Sequence, residues 1–94
     1  MIVDSSALLE RACDDIIRSA FNSAGQRCSA LRLLLIHQEI YPQLISMLKG
    51  AMKDLTIGAP SDLNVDVGPI IDTHSLKKLE NYLDQMKSNG HAIF

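Results

Sequence analysis

Residues 21–36 read FNSAGQRCSALRLLLI and divide into two halves that ask for different backbones. The first half, Asn22-Ser23-Ala24-Gly25, is small and polar. It ends on the one residue type that enters left-handed backbone without a Cβ penalty, so it reads as a turn. The second half, Leu31 to Ile36, is apolar apart from Arg32 and shows no strict alternation. A strand of that composition is covered on both faces, as in a parallel sheet flanked by helices. The fold then depends on what lies to either side.

Upstream, Leu9, Ala12, Cys13, Ile16, Ile17, Ala20 and Phe21 recur at helical spacing, with Glu10, Arg11, Asp14, Asp15 and Arg18 between them. This predicts a helix over 9–21 with one buried stripe. Ser5 or Ser6 stands where a hydroxyl caps the first turn, and Gly25 lies beyond the end. Downstream, Pro42 suits the first turn of a second helix, because its missing N–H loses nothing there. Leu44, Ile45, Leu48, Met52 and Leu55 form its predicted buried face, opposite Gln43, Ser46, Lys49 and Lys53. A third helix is predicted after Asp72 or Thr73 as cap, burying Leu76, Leu79, Leu83 and Met86 and stopping at Gly90. Ile2-Val3 and Ala92-Ile93-Phe94 read as further strands. The order strand, helix, strand, helix, helix, strand predicts an α/β fold, a partial parallel sheet of about three strands with three amphipathic helices and right-handed crossovers.

Composition narrows the function. The chain has 94 residues, 47% hydrophobic and 21% charged, an ordinary globular balance in which no repeat or linker marks a boundary, so residues 1–94 are one unit. Its net charge of −2 supplies no field for phosphates, and two Tyr with two Phe offer little stacking surface, which argues against nucleic-acid binding. The longest uninterrupted apolar run, Leu33 to Ile36, is far short of the roughly 20 residues of a membrane span. Two cysteines make no disulfide framework and no signal-peptide pattern precedes them, so a reduced, cytoplasmic chain is expected. His37, His74 and His91 are too scattered for a metal site. The chain enters a strand at once and ends on Phe94, so a partial domain cut within a sheet is expected, with exposed strand edges that favour self-association.

Cys28 follows the glycine turn, where a loop presents a thiol together with its own backbone N–H. A thiolate there would attack a carbonyl carbon, and Arg27 beside it would lower the thiol's pKa. The competing reading is a quiet packing residue, since the spacing fixes no His or carboxylate near it. Cys13, on the apolar stripe of the first helix, is expected to pack, and is a poor resolving partner for a redox pair with Cys28. Glu10, Asp14, Asp15 and Glu39 fall on solvated faces or at a helix start, and none reads as a catalytic base.

The stretch FNSAGQRCSALRLLLI resembles the nucleophile segment of the aldehyde dehydrogenase superfamily, in which Gly-Gln-x-Cys carries the catalytic cysteine; here it is Gly25-Gln26-Arg27-Cys28. IVDSSALLERACDDI is similar to the strand and helix that precede that cysteine. IGAPSDLNVDVGPIID resembles the loop after the next helix, with Gly58, Pro60, Gly68, Pro69 and Ile70 in the corresponding places. Within the superfamily, DSSAL and SAGQRCSALR are most similar to the pyrroline-5-carboxylate dehydrogenase branch, including the dehydrogenase half of bacterial bifunctional proline-utilization enzymes. The resemblance implies the nucleophile-bearing part of the catalytic domain of an NAD-dependent enzyme that oxidises the small-molecule aldehyde glutamate semialdehyde to glutamate. It further implies Cys28 as nucleophile and Ser29 as a contact to the substrate's α-carboxylate, the other reading of Ser29 being a hydroxyl bonded to local backbone. The family's glutamate base, the asparagine of its oxyanion hole, its nucleotide-binding domain and its Glu-x-Phe segment have no counterpart here. Neither G-x-G-x-x-G nor a Walker sequence occurs, so the isolated chain is expected to be inactive and not to bind NAD. A stand-alone α/β interaction module derived from such an enzyme is the alternative.

Overall fold

The computed structural model describes all of residues 1–94. Strand β1 (Ile2–Val3) and strand β2 (Leu35–Ile36) pair in parallel, Ile2 beside Leu35 and Val3 beside Ile36. The ladder is closed by the Leu35 N–H donating to the Met1 carbonyl at 3.0 Å and the His37 N–H donating to that of Val3 at 2.9 Å. Helix α1 (Leu9–Phe21) connects the strands, α2 (Tyr41–Asp54) follows β2 and packs on α1, and α3 (Thr73–Ser88) comes last. The core is the seam where the first two helices meet the sheet: Val3, Cys13, Ile16, Leu44 and Leu48.

Helix α1 occupies the predicted residues, but neither serine caps it. Leu8 stands at the cap position and offers no side-chain acceptor. Asp4, at the end of β1, takes the serine first: its Oδ2 accepts from the Ser6 hydroxyl at 2.9 Å, and its carbonyl accepts the Ala7 N–H at 3.0 Å. That local turn competes with capping. The Ser6 hydroxyl, and then the backbone N–H groups of Ser5 and Ser6, hold the Asp4 carboxyl below the usual carboxylate range.

Burial on both faces of the run 31–36 is not what the structure shows. Only Leu35 and Ile36 pair, because β1 is two residues long. Leu34 and Ile36 pack against the core, whereas Leu33 and Leu35 are 66% and 51% exposed, since the helices of this chain cover one face of the sheet. The third strand expected at Ala92-Ile93-Phe94 is absent: no strand of the chain lies beside it. Phe94 instead turns its ring under Lys49 of α2, with Nζ 3.7 Å from the ring centroid, a cation–π contact.

Helix α3 has the ends its sequence predicts. Asp72 is the cap, its Oδ1 accepting from the Ser75 N–H at 2.7 Å. At the other end Gly90, at φ +78°, donates to the Lys87 carbonyl while the His91 N–H reaches back to that of Met86, each at 3.0 Å. These two bonds are the Schellman closure. Its buried face, however, is a misprediction. Leu76, Leu79 and Leu83 are 42%, 48% and 42% exposed, and only Met86 is half-buried, because α1 and α2 pack on each other and leave α3 to one side.

With little packing on it, α3 depends on its caps. The Ser75 N–H, followed by the Ser75 hydroxyl, holds the Asp72 carboxyl below its usual range. A depressed folded-state pKa contributes stability that is present above the unfolded value near 3.8 and lost as pH falls through the folded value. Circular dichroism is therefore expected to show helix loss as the wild-type chain is acidified below its unfolded Asp pKa. Asp72→Ala, already lacking the cap at neutral pH, should lose less on the same titration. Parallel acid curves for the two chains would remove this role.

Candidate active site

The site begins where α1 runs out. Past Phe21 the chain enters a 3₁₀ turn, Asn22–Gly25, in which Ser23, Ala24 and Gly25 take successive left-handed backbones at φ 57°, 52° and 66°. Left-handed backbone costs a residue with a Cβ about 1–2 kcal/mol, so the turn must be held from outside. The Gln26 N–H donates to the Ser23 carbonyl at 3.0 Å, and Nη2 of Arg32 donates to the Gly25 carbonyl at 2.7 Å. Gly25 has no substitute: a Cβ there would stand 2.9 Å from the Ala20 carbonyl oxygen and 3.3 Å from Nη1 of Arg32.

The next turn carries the thiol. The Ala30 N–H donates to the Arg27 carbonyl at 3.1 Å, which leaves Cys28 and Ser29 as the two central residues, both exposed. Ala30 itself is buried, and the Leu31 N–H donates to the Ser19 carbonyl of α1 at 3.1 Å, so the turn is anchored on its C-terminal side. Cys28 is a free thiol, and its backbone N–H donates to no other backbone group of the chain. One exposed residue thus carries both a free thiol and a backbone N–H with no backbone partner in the chain. An addition at a carbonyl uses both, one to attack the carbon and one to receive the oxygen.

Arg27 is not free to serve the thiol as its neighbour in sequence suggests. Its Nη2 donates to the Arg18 carbonyl at 3.1 Å, sharing that acceptor in the last turn of α1 with the Asn22 N–H. Cys13 lies in the opposite environment from Cys28: it is buried in α1, where burial first and the Asp14 carboxylate second push its thiol up from the usual value. A thiol so placed is inert and packs, as its helical position predicts.

Sequence reasoning passed over Gln26. Its Nε2 donates to the Ser23 carbonyl at 3.1 Å and to the Pro69 carbonyl at 3.2 Å, and its Oε1 accepts the Ile71 N–H at 2.8 Å. The segment it grips is shaped by its own bonds. Ile57 bridges Val67, and the Asp66 carboxylate accepts the Thr56 N–H at 2.9 Å, which brings residues 68–71 back toward the Cys28 turn. The Gly25-Gln26-Arg27-Cys28 motif contains the glutamine but gives it no partner, because a partner so distant has no signature in local spacing.

The chain holds no complete pocket around this tip. None of its four grooves is lined by Cys28; the largest, about 440 Å³, lies between Lys49, Met52, Lys53 and Phe94. A dinucleotide's phosphates need unpaired N–H groups at a helix N-terminus or in a glycine-rich loop. Here the Asp72 carboxylate occupies the start of α3, and no glycine-rich loop precedes α1, α2 or α3. These residues do not fit NAD.

The description of the aldehyde dehydrogenase family matches residues 1–94, the whole chain. The bifunctional protein PutA of Escherichia coli K12 is 47% identical over 94 residues, covering 100% of this chain and 7% of that protein. The 1-pyrroline-5-carboxylate dehydrogenase of Oceanobacillus iheyensis is 34% identical, with 100% and 18% covered. Among solved structures, betaine aldehyde dehydrogenase of Staphylococcus aureus in complex with NAD+ superposes with a TM-score of 0.92 at 30% identity, covering 95% of this chain and 18% of that one. The chain spans 7–18% of the length of these curated relatives.

Proposed function

The chain belongs to the aldehyde dehydrogenase family, and from that premise we propose that residues 1–94 are the nucleophile-bearing part of a catalytic domain oxidising glutamate semialdehyde to glutamate in proline catabolism. The observation that carries this reading is Cys28 at the tip of an anchored turn, with thiol and backbone N–H both open. The Cys28 thiolate adds to the aldehyde carbon, forming the C–S bond, and the carbonyl π pair moves onto oxygen. The alkoxide so formed accepts from the Cys28 N–H. Ser29, next in the same turn, donates its hydroxyl to the substrate's α-carboxylate. NAD, which a relative of this fold is named as holding, would accept the hydride that the tetrahedral adduct loses as it becomes a thioester; its contacts, and the base that activates the water which hydrolyses the thioester to glutamate and free thiol, belong to residues outside this chain.

The names of the E. coli and O. iheyensis relatives support the proline-catabolic branch. The family match over every residue favours an enzyme segment over a separate interaction module. The two-stranded sheet has free outer edges, which supports pairing with a further strand or a second copy. No helix is long and apolar enough to cross a membrane, and we place the protein in the cytoplasm.

The test is selectivity. In the protein carrying this chain, NADH formation is expected to be faster with glutamate semialdehyde than with an uncharged aliphatic aldehyde of the same length. Ser29→Ala should raise KM for the semialdehyde by about tenfold or more, the value of one hydrogen bond to a charged group, and leave the aliphatic aldehyde unaffected. Equal rates on both aldehydes, unmoved by Ser29→Ala, would sink the assignment.

A further inference from the structure

We propose that Gln26 is a positioning residue for the nucleophile, a carboxamide clamp that fixes where the Cys28 sulfur stands by tying its turn to residues 69–71. The inference rests on the reading of Cys28 given above. Gln26 lies two residues before Cys28, between the left-handed stretch and the Arg27–Ala30 turn. On its C-terminal side the turn is held by buried Ala30 and by the bond from Leu31 to Ser19. On its N-terminal side Arg27 ties the turn to α1 through the Arg18 carbonyl, and the Gln26 side chain ties it to the more remote segment through Pro69 and Ile71.

The chemistry of the three contacts selects the residue. One group must donate to two carbonyls, Ser23 and Pro69, and accept from one N–H, Ile71. Among side chains of this length only the uncharged carboxamide does both. The amide orientation follows, because the reversed one sets oxygen against both carbonyls and nitrogen against an N–H. Gln26 is exposed, and so are the groups it binds, so water would satisfy each of them without it. What water does not supply is a fixed distance between the two segments. The clamp is therefore geometric, and misplacing a reacting atom by about 1 Å costs on the order of a hundredfold in rate.

Two variants of the protein carrying this chain test it, with kcat and KM for aldehyde oxidation, the rate of Cys28 alkylation by iodoacetamide and the melting midpoint as readouts. Gln26→Met keeps the length and removes all three hydrogen bonds. It is expected to lower kcat by about 10–100-fold and change the Cys28 alkylation rate, with KM and the melting midpoint unmoved. Gln26→Glu sets a carboxylate against two carbonyl oxygens; protonation returns one donor, so its kcat relative to wild type should rise as pH falls. Should Gln26→Met fail to fold, that pH dependence carries the test. A Gln26→Met protein with wild-type kcat and alkylation rate, or a Gln26→Glu ratio flat with pH, overturns the clamp. Cys28→Ala separates the two ideas. If it is inactive while Gln26→Met is fully active, only the clamp fails; if it is active, the nucleophile assignment fails and the clamp with it.

Discussion

Cys28→Ala is expected to remove aldehyde oxidation, lowering kcat by at least about a thousandfold, while the protein remains folded. The size of the effect follows from the role: without the sulfur no covalent adduct forms, and a neighbouring hydroxyl such as Ser29 is a far weaker nucleophile at neutral pH. The selectivity of the effect follows from the structure. Cys28 is exposed at the tip of a turn whose closing bond runs from Ala30 to Arg27, backbone to backbone, so removing the thiol disturbs neither packing nor turn. Exposed substitutions of that kind stay within about 0.5 kcal/mol in stability. Steady-state rates with a denaturation curve on the same sample decide it. Retained turnover in a folded Cys28→Ala protein would end the proposal that this thiol is the nucleophile.

The largest effect on stability is expected at Leu44. It is the chain's one fully buried large side chain, at 0% exposure, and it sits where α2 meets Val3, Cys13 and Ile16. Leu44→Ala should cost about 2–5 kcal/mol, lost transfer energy plus the cavity left behind. A chain of this length has a total stability of about 5–14 kcal/mol, so that loss is a large share. Leu83→Ala is the matched contrast, the same atoms removed from a side chain already 42% exposed on α3. It should cost less, because about two-fifths of that surface is already in water and no closed cavity is left behind. Urea unfolding of both variants gives the comparison; equal losses would mean that the seam between α1 and α2 is not the core. The same loss would reach the site, since α1 holds the nucleophile turn through the carbonyls of Arg18 and Ser19.

The parts of this chain legible in advance are those governed by neighbours in sequence. Helix α1 could be placed at Leu9–Phe21 because apolar spacing is a property of the helix itself. The Asp72 cap and the Gly90 closure of α3 involve residues within one turn of the helix end. The glycine turn and the exposed thiol after it were read from small residues that tolerate few other backbones. For the helix and the two ends the deciding partners lie within about five residues, and the glycine turn adds Arg32, which donates to the Gly25 carbonyl.

The failures share the opposite property. Ser6 bonds to Asp4 rather than capping α1, because a competing acceptor stood closer than the helix. Leu76, Leu79 and Leu83 have helical spacing but no surface of this chain to meet, and Ala92–Phe94 has strand composition but no strand beside it. Periodicity shows which face of an element is apolar; whether that face is covered depends on other elements.

By itself, then, the amino-acid order determined the α/β class, the three helices and the thiol at the end of a glycine turn, since backbone conformation is set by local sterics and local hydrogen bonds. Tertiary structure alone decided which apolar faces are covered, that Arg27 serves the end of α1, and that Gln26 grips Pro69 and Ile71. Those outcomes are distances between remote segments, and a hydrogen bond lasting only to about 3 Å forms where the whole fold brings its two halves together.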